Sequence, residues 1–506
     1  QTLEDRTHIL GPDHPDTLLS RNNLAYAYRD AGRLDEAIPL YEQTLEDRTH
    51  ILGPDHPDTL TTRGNLASAY QAAGRLDEAI PLQEQTLKDF ENLLGPNHPD
   101  TLTTRDNLAI AYRNAGRLDE AIPLLEQTLT DRSRPLGPNH PDTLTTQANL
   151  AIAYRTAGRL DEAIPLLEQT LEDNTRIMGP HHPHTLTTRH NLAYAYQKTG
   201  RIEEAIPLLG QNLDDVARTL GPHHPHTLTT RNNLAYAYRD AGRLDEAIPL
   251  FEQNLDDVAR TLGLDHPETL ASRHSLAATY RDAGRLDEAI PLFEQNLTDV
   301  ARTLGLDHPE TLASRHSLAS AYQAAGRLDE AITLYQQNLE DRTHILGPHH
   351  PDTLASRNNL ASAYQAAGRL DEAITLYQQN LEDRTHILGP HHPDTLASRN
   401  NLASAYQAAG RLDEAIPLYQ QNLKDLTHIL GPHHPHTLIT RNNLASAYQT
   451  TGRLDEAIPL YQQNLKDLTH ILGPHHPHTL ITRNNLASAY QAAGRLEDAE
   501  KLFGTP

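Results

Sequence analysis

The dipeptide Gly-Arg stands at positions 32, 74, 116, 158, 200, 242, 284, 326, 368, 410, 452 and 494, each 42 residues after the last. His-Pro keeps the same step from His14 to His476. No other feature constrains the fold as strongly, because a unit this short cannot bury an apolar face alone and must stack on its neighbours. A clear copy runs His224-Pro225-His226-Thr227-Leu228, continues through Asn233-Leu234-Ala235-Tyr236-Ala237-Tyr238, and ends at Gly242-Arg243-Leu244-Asp245-Glu246-Ala247-Ile248. A chain of 506 residues would ordinarily suggest several globular domains, but the unbroken period overrides that prior. One array over residues 1–506 is the expectation.

Within the first full copy, Pro15 and Asp16 suit the opening turn of a helix, through the fixed φ of proline and the helix dipole. Leu18, Ala25 and Tyr28 then recur at the spacing of one helical stripe, and Gly32 supplies a stop. A second helix is predicted from about Leu34, with Ala37, Ile38, Tyr41, Leu45 and Leu52 as its apolar face, closing at Gly53-Pro54. Pro39 lies about one turn in, where it costs little, whereas Pro135 near the end of its helix is expected to stop or kink it. The count is twelve first helices and eleven complete second helices, with a partial helix at 1–10 and a short final one near 495–503. The copies at Gly326–Ala367 and Gly368–Ala409 are the same 42 letters. Since Gln1–Arg6 matches Gln43–Arg48 in mid-repeat and no initiator Met is present, a longer parent protein is expected.

Composition narrows the function classes. With no Cys, no Trp, four Phe and one Met, the core must come from Leu, Ala, Ile and Tyr, and disulfides and thiolate metal sites are excluded. This suits a reducing cytoplasmic setting. A formal charge of −24 opposes binding to nucleic acid and to anionic membrane surfaces. No apolar run approaches the about 18 residues a membrane span needs. Protonating all 31 histidines would carry the formal charge to about +7, so acidification is expected to alter solubility or self-association.

Asn23-Leu24-Ala25, Tyr28, Gly32, Leu34, Ala37-Ile38, Tyr41 and Leu45 stand in the order and spacing of the tetratricopeptide repeat, and the chain resembles that family over essentially its whole length. Its 42-residue period and the connector Leu52-Gly53-Pro54-Asp55-His56-Pro57-Asp58-Thr59 are similar to the lengthened repeats of kinesin light chains and of bacterial proteins like them. The resemblance implies an all-α, right-handed superhelical solenoid of antiparallel helix pairs, with first helices lining a concave face that holds partner proteins or peptides.

On that face the family places positions matching Asn22, Asn23, Tyr26, Arg29 and Asp30. The second of these is Asn in ten copies, among them Asn23, Asn65, Asn107, Asn149, Asn191 and Asn233. Asn is a mediocre helix former, so either the amides grip a peptide backbone or each bonds the adjacent repeat. The third position drifts, with Tyr26, Tyr194 and Tyr236 among Ser, Ile and Ala, while the fourth gives Arg29, Arg113, Arg155, Arg239 and Arg281 among glutamines. The last five copies carry only Gln there. A specific peptide site is therefore expected in copies one to six, with the later ones as spacer. Tyr28 and its equivalents, Tyr in all twelve copies, read as core.

Arg21, Arg in eleven copies and Gln147 in one, is expected to pair with an acid of a neighbouring helix. Arg33 reads as a solvated turn residue. His181-His182-Pro183-His184 and its copies offer three imidazoles in four residues, enough for adventitious metal capture but without the further ligands of a functional site. No phosphate loop or nucleophilic triad stands out of the repeats, so no catalytic residue and no cofactor is expected. Two other roles remain open: the C-terminal sensor array of a multidomain signalling NTPase, and end-to-end self-association through uncapped stacking surfaces.

Overall fold

The computed structural model describes residues 2–503, which places Gln1 of the expected opening helix outside the described residues. These hold twenty-five helices joined by turns, and no strand. They fall into two compact units, residues 1–257 and 258–506. First helices begin at Pro15, Pro57, Pro99, Pro141, Pro183 and Pro225 in the first unit, and at Pro267, Pro309, Pro351, Pro393, Pro435 and Pro477 in the second; repeats one to twelve are numbered by them. The shorter helices at the two ends are Thr2–Leu10 and Leu496–Lys501.

Each boundary has a local cause. Proline forces the residue before it out of the helical region, so His14 is extended at φ −68° and ψ 139°. Its Nδ1 then accepts the Asp16 N–H at 3.2 Å, and the same His cap recurs at every first helix through His476. At the other end Gly32, at φ 73°, lets the Arg33 N–H reach the Tyr28 carbonyl (2.8 Å) and its own N–H reach that of Arg29 (3.0 Å). This paired closure satisfies carbonyls the helix would otherwise leave bare. The second helix runs Leu34–Leu52 straight through Pro39. Pro135 does not shorten its helix, which spans Leu118–Leu136 like its sisters. It sits in the last turn, where only the bond to one carbonyl is lost, and Gly137 N–H still closes the helix on the Ser133 carbonyl at 3.0 Å.

Small residues let the helices meet closely. Ala37 and Tyr41 are fully buried in the first unit, as are Ala69 and Ala79 in the next repeat. One continuous cluster runs from Ala151 and Leu167 through Leu192, Ala195 and Tyr196 to Leu209, Leu234 and Ala237. The predicted core tyrosine is buried or half-buried, and it also ties repeats together. Its hydroxyl donates to the second helix of the preceding repeat, as in Tyr112 to Glu84 (2.7 Å), or accepts from it, as in Tyr364 from Gln336 (2.7 Å).

Two arginines fasten the frame. The one at the Arg21 position crosses to the second helix of its own repeat, as expected: Arg189 Nη1 meets Asp215 Oδ2 at 2.8 Å while its Nη2 donates to the Pro180 carbonyl. Where Gln147 replaces it, Asp173 is taken instead by Arg176 and Gln169. Arg33 is a solvated turn residue, as expected, but it has a further role. Though exposed, it lies 4.5 Å over the Tyr28 ring and pairs with Glu36, and every later copy does the same with its own tyrosine. The turn closure explains this, since bonding Arg33 N–H to the Tyr28 carbonyl brings the guanidinium above that ring.

Candidate functional site

First helices of successive repeats touch one another in the first unit, Pro99–Asn114 against Pro141–Thr156 and that helix against Pro183–Lys198, whereas second helices stand further apart. A stack spaced this way curves toward its first helices, so their free side is a groove. The residues expected there divide into groups.

Arg155, Tyr194, Asn233 and Tyr236 line one open cavity of 560 Å³ in repeats four to six. The Arg155 guanidinium lies 4.7 Å over the Tyr194 ring, and Lys198 Nζ approaches the same ring at 5.3 Å. Tyr194 is 39% exposed, held by cations on its face and not by surrounding core. Tyr236 sets its ring edge-on to Phe251 at 5.1 Å, with Arg239 6.0 Å above it. Arg113 lies alongside, near enough to Arg155 for the two charges to oppose each other. Burial first, and then Arg155, hold the Arg113 guanidinium below the usual arginine range; burial does the same to Arg155. Arg155 Nε has no hydrogen-bond partner among the described residues.

The other expected residues lie elsewhere. Asn23, Tyr26 and Arg29 form a separate group in repeat one, the first two exposed and Arg29 half-buried 4.6 Å over the Tyr26 ring. Asn65, Asn107 and Asn149 are half-buried along the same layer of first helices, and Asn191 is buried; none of the four lines the cavity. In the second unit the amides at this position face protein: Asn401 donates to Asn358 at 2.9 Å and Asn485 to Asn442 at 3.4 Å. The glutamines there likewise reach the serine of the next repeat, from Gln323 to Ser362 through Gln449 to Ser488. Groove polarity is thus largely satisfied internally in repeats eight to twelve, whereas in repeat four the Arg155 Nε keeps no partner among the described residues.

His190, at the Asn22 position, and Lys198 and Asp240, at the Asp30 position, also line the cavity; the sequence placed these positions on the face without singling out these copies. His190 is held below its ordinary value by burial first, then by Arg155 and His226, which keeps it neutral at pH 7. A signal existed: its position reads Asn22, Gly64, Asp106, Ala148 and His190 in successive copies, as variable as the tyrosine position beside it. The histidine triplets do not gather into a metal centre. Their middle residue caps a helix, and no cluster of three His, Cys, Asp or Glu suited to a metal occurs among the described residues. No described helix is long and apolar enough to cross a membrane.

The groove therefore offers aromatic rings, amides and guanidinium groups along a line of helices, an arrangement suited to holding a chain. Among solved structures, a kinesin light chain-type protein of Podosopora anserina with nearly identical TPR-like repeats is 40% identical over 40% of this chain and 97% of its own, at TM-score 0.38. BtubC (BKLC) from P. vanneervenii is 22% identical over 43% of this chain and 87% of its own, also at 0.38. A comparison with curated proteins gives no match. The tetratricopeptide repeat model matches in overlapping stretches from 1–49 and 16–92 to 400–466 and 436–504, which leave no gap between them. With helix pairs, period and sequence model in agreement from end to end, the chain belongs to the tetratricopeptide repeat family.

Proposed function

We propose that this tetratricopeptide array is a protein-binding scaffold, a role arrays of this family generally fill, and that its first unit holds an extended, acidic segment of a partner in the groove of repeats three to six. The observation that carries the reading is the Arg155 guanidinium, desolvated at the wall of a 560 Å³ cavity with Nε unsatisfied. Arg113 and Lys198 stand beside it, against the single carboxylate of Asp240. In a chain of formal charge −24, a local excess of cations is costly unless an anion enters. Tyr194 and Tyr236 supply rigid contact area next to it.

The test measures fluorescence anisotropy of the full chain with labelled extended peptides, glutamate-rich and glutamine-rich versions of one sequence. The glutamate version should bind more tightly, and less so at high salt. Tyr194→Ala and Arg155→Ala should each weaken binding about tenfold while leaving the melting temperature within about 2 °C, as for surface anchors outside the core. Unchanged binding in both variants would remove the groove as the site, and a large loss of melting temperature would make Tyr194 a core residue.

A further inference from the structure

A second niche lies in the other compact unit and is independent of the groove. In repeats one, three, eight and nine the space between the last turns of the second helix and the first turns of the next first helix is filled by an arginine. Arg48 Nη1 donates to the Asp58 carbonyl and to Thr62 Oγ1, both at 2.8 Å. Arg342 reaches the Asp352 carbonyl and Ser356, and Arg384 the Asp394 carbonyl (3.0 Å) and Ser398 (3.1 Å). Repeats ten and eleven carry Leu426 and Leu468 instead.

A leucine ends where the guanidinium would begin, and cavities stand beside both: 380 Å³ at Leu468 and 180 Å³ at Leu426. The residues whose equivalents receive the arginine elsewhere, His478 and Thr482, line the larger space. Asn464, 1% exposed, contributes a side-chain oxygen with no partner among the described residues. At the rim Ile439 and Ile481 are 44% and 52% exposed, where other copies have Thr, Ala or Leu. The niche therefore keeps its hydrogen-bond acceptors, has lost its own donor, and has gained an apolar mouth.

We infer that this niche binds an arginine side chain presented by a partner polypeptide, next to an aliphatic residue that covers the isoleucine rim. Arginine fits because its stem is apolar, its head is weakly hydrated, and its fork of donors matches a carbonyl and a hydroxyl together, as in the sister repeats. Scaled from a 150 Å³ cavity that holds benzene, the space takes about 15 non-hydrogen atoms, room for an arginine and a neighbouring aliphatic side chain.

The test titrates the full chain with the peptide acetyl-Leu-Arg-Leu-amide and its citrulline counterpart, which keeps the shape and removes the charge. The arginine peptide should bind saturably and the citrulline peptide about tenfold more weakly. The Leu426→Arg, Leu468→Arg double variant, which restores the arginine of the sister repeats, should abolish binding without lowering the melting temperature. Ile481→Ser, at an exposed position that leaves the fold alone, should weaken binding severalfold and keeps the test decisive if the double variant folds poorly. No saturable binding, equal affinity for citrulline, or undiminished binding to Ile481→Ser would each overturn the assignment.

Discussion

At the scale of single residues, the repeat is held by polar groups whose partners lie in another helix. Arg189 and Asp215 are both buried and meet at 2.8 Å, so removing one leaves the other charged and desolvated. Arg189→Ala should cost about 3 kcal/mol, read as faster amide exchange concentrated in repeat five. Replacing both partners by apolar residues, Arg189→Met with Asp215→Leu, should recover most of the loss. The pairing of these residues was legible from their recurrence alone. The stack of Arg33 on Tyr28 was not, because it depends on the backbone closure at Gly32, which carries a sequence neighbour back over the ring.

At the scale of the helix, starts were the easiest feature to read and the reason is chemical. Proline fixes its own φ and the conformation before it, so Pro15 announced its helix correctly. The cap itself was hidden, since histidine is outside the usual set of N-capping residues and its role rests on Nδ1 facing the N–H two residues on. His224→Ala should cost about 1 kcal/mol and fray the first turn at Pro225, whereas His224→Asn should be close to neutral; thermal melts of the two variants check this. Pro135 misled because sequence shows a proline in a helix without showing how few bonds remain to be broken at that point. The positions of the groove came from the family resemblance, and drift among copies made Tyr194, Tyr236 and Arg155 legible as candidates within it. Which of its residues converge on one cavity was not, because that depends on how far each helix is turned against the next.

At the scale of the whole molecule, the repeated tyrosine sets a limit on alkaline stability. Burial first, and then hydrogen bonding to a glutamate, push Tyr70, Tyr112, Tyr154, Tyr196 and Tyr322 up from 10.0 to about 12. The folded chain thus favours the neutral ring, and its stabilisation is complete below pH 10 and lost as pH rises toward 12, where the unfolded chain gives up protons first. Melting temperature followed by circular dichroism should fall steeply between pH 10 and 12 and little between pH 8 and 9; a flat profile to pH 12 would contradict the burial of these hydroxyls. The second unit carries a different consequence in its two identical copies. Arg342 to Ser356 and Arg384 to Ser398 are the same joint, as are Gln336 to Tyr364 and Gln378 to Tyr406. Excising or inserting one 42-residue copy here would bring together faces already matched to each other. The gene can therefore change the length of this unit by unequal recombination without passing through a misfit protein, so that reach, and not only surface chemistry, is open to selection.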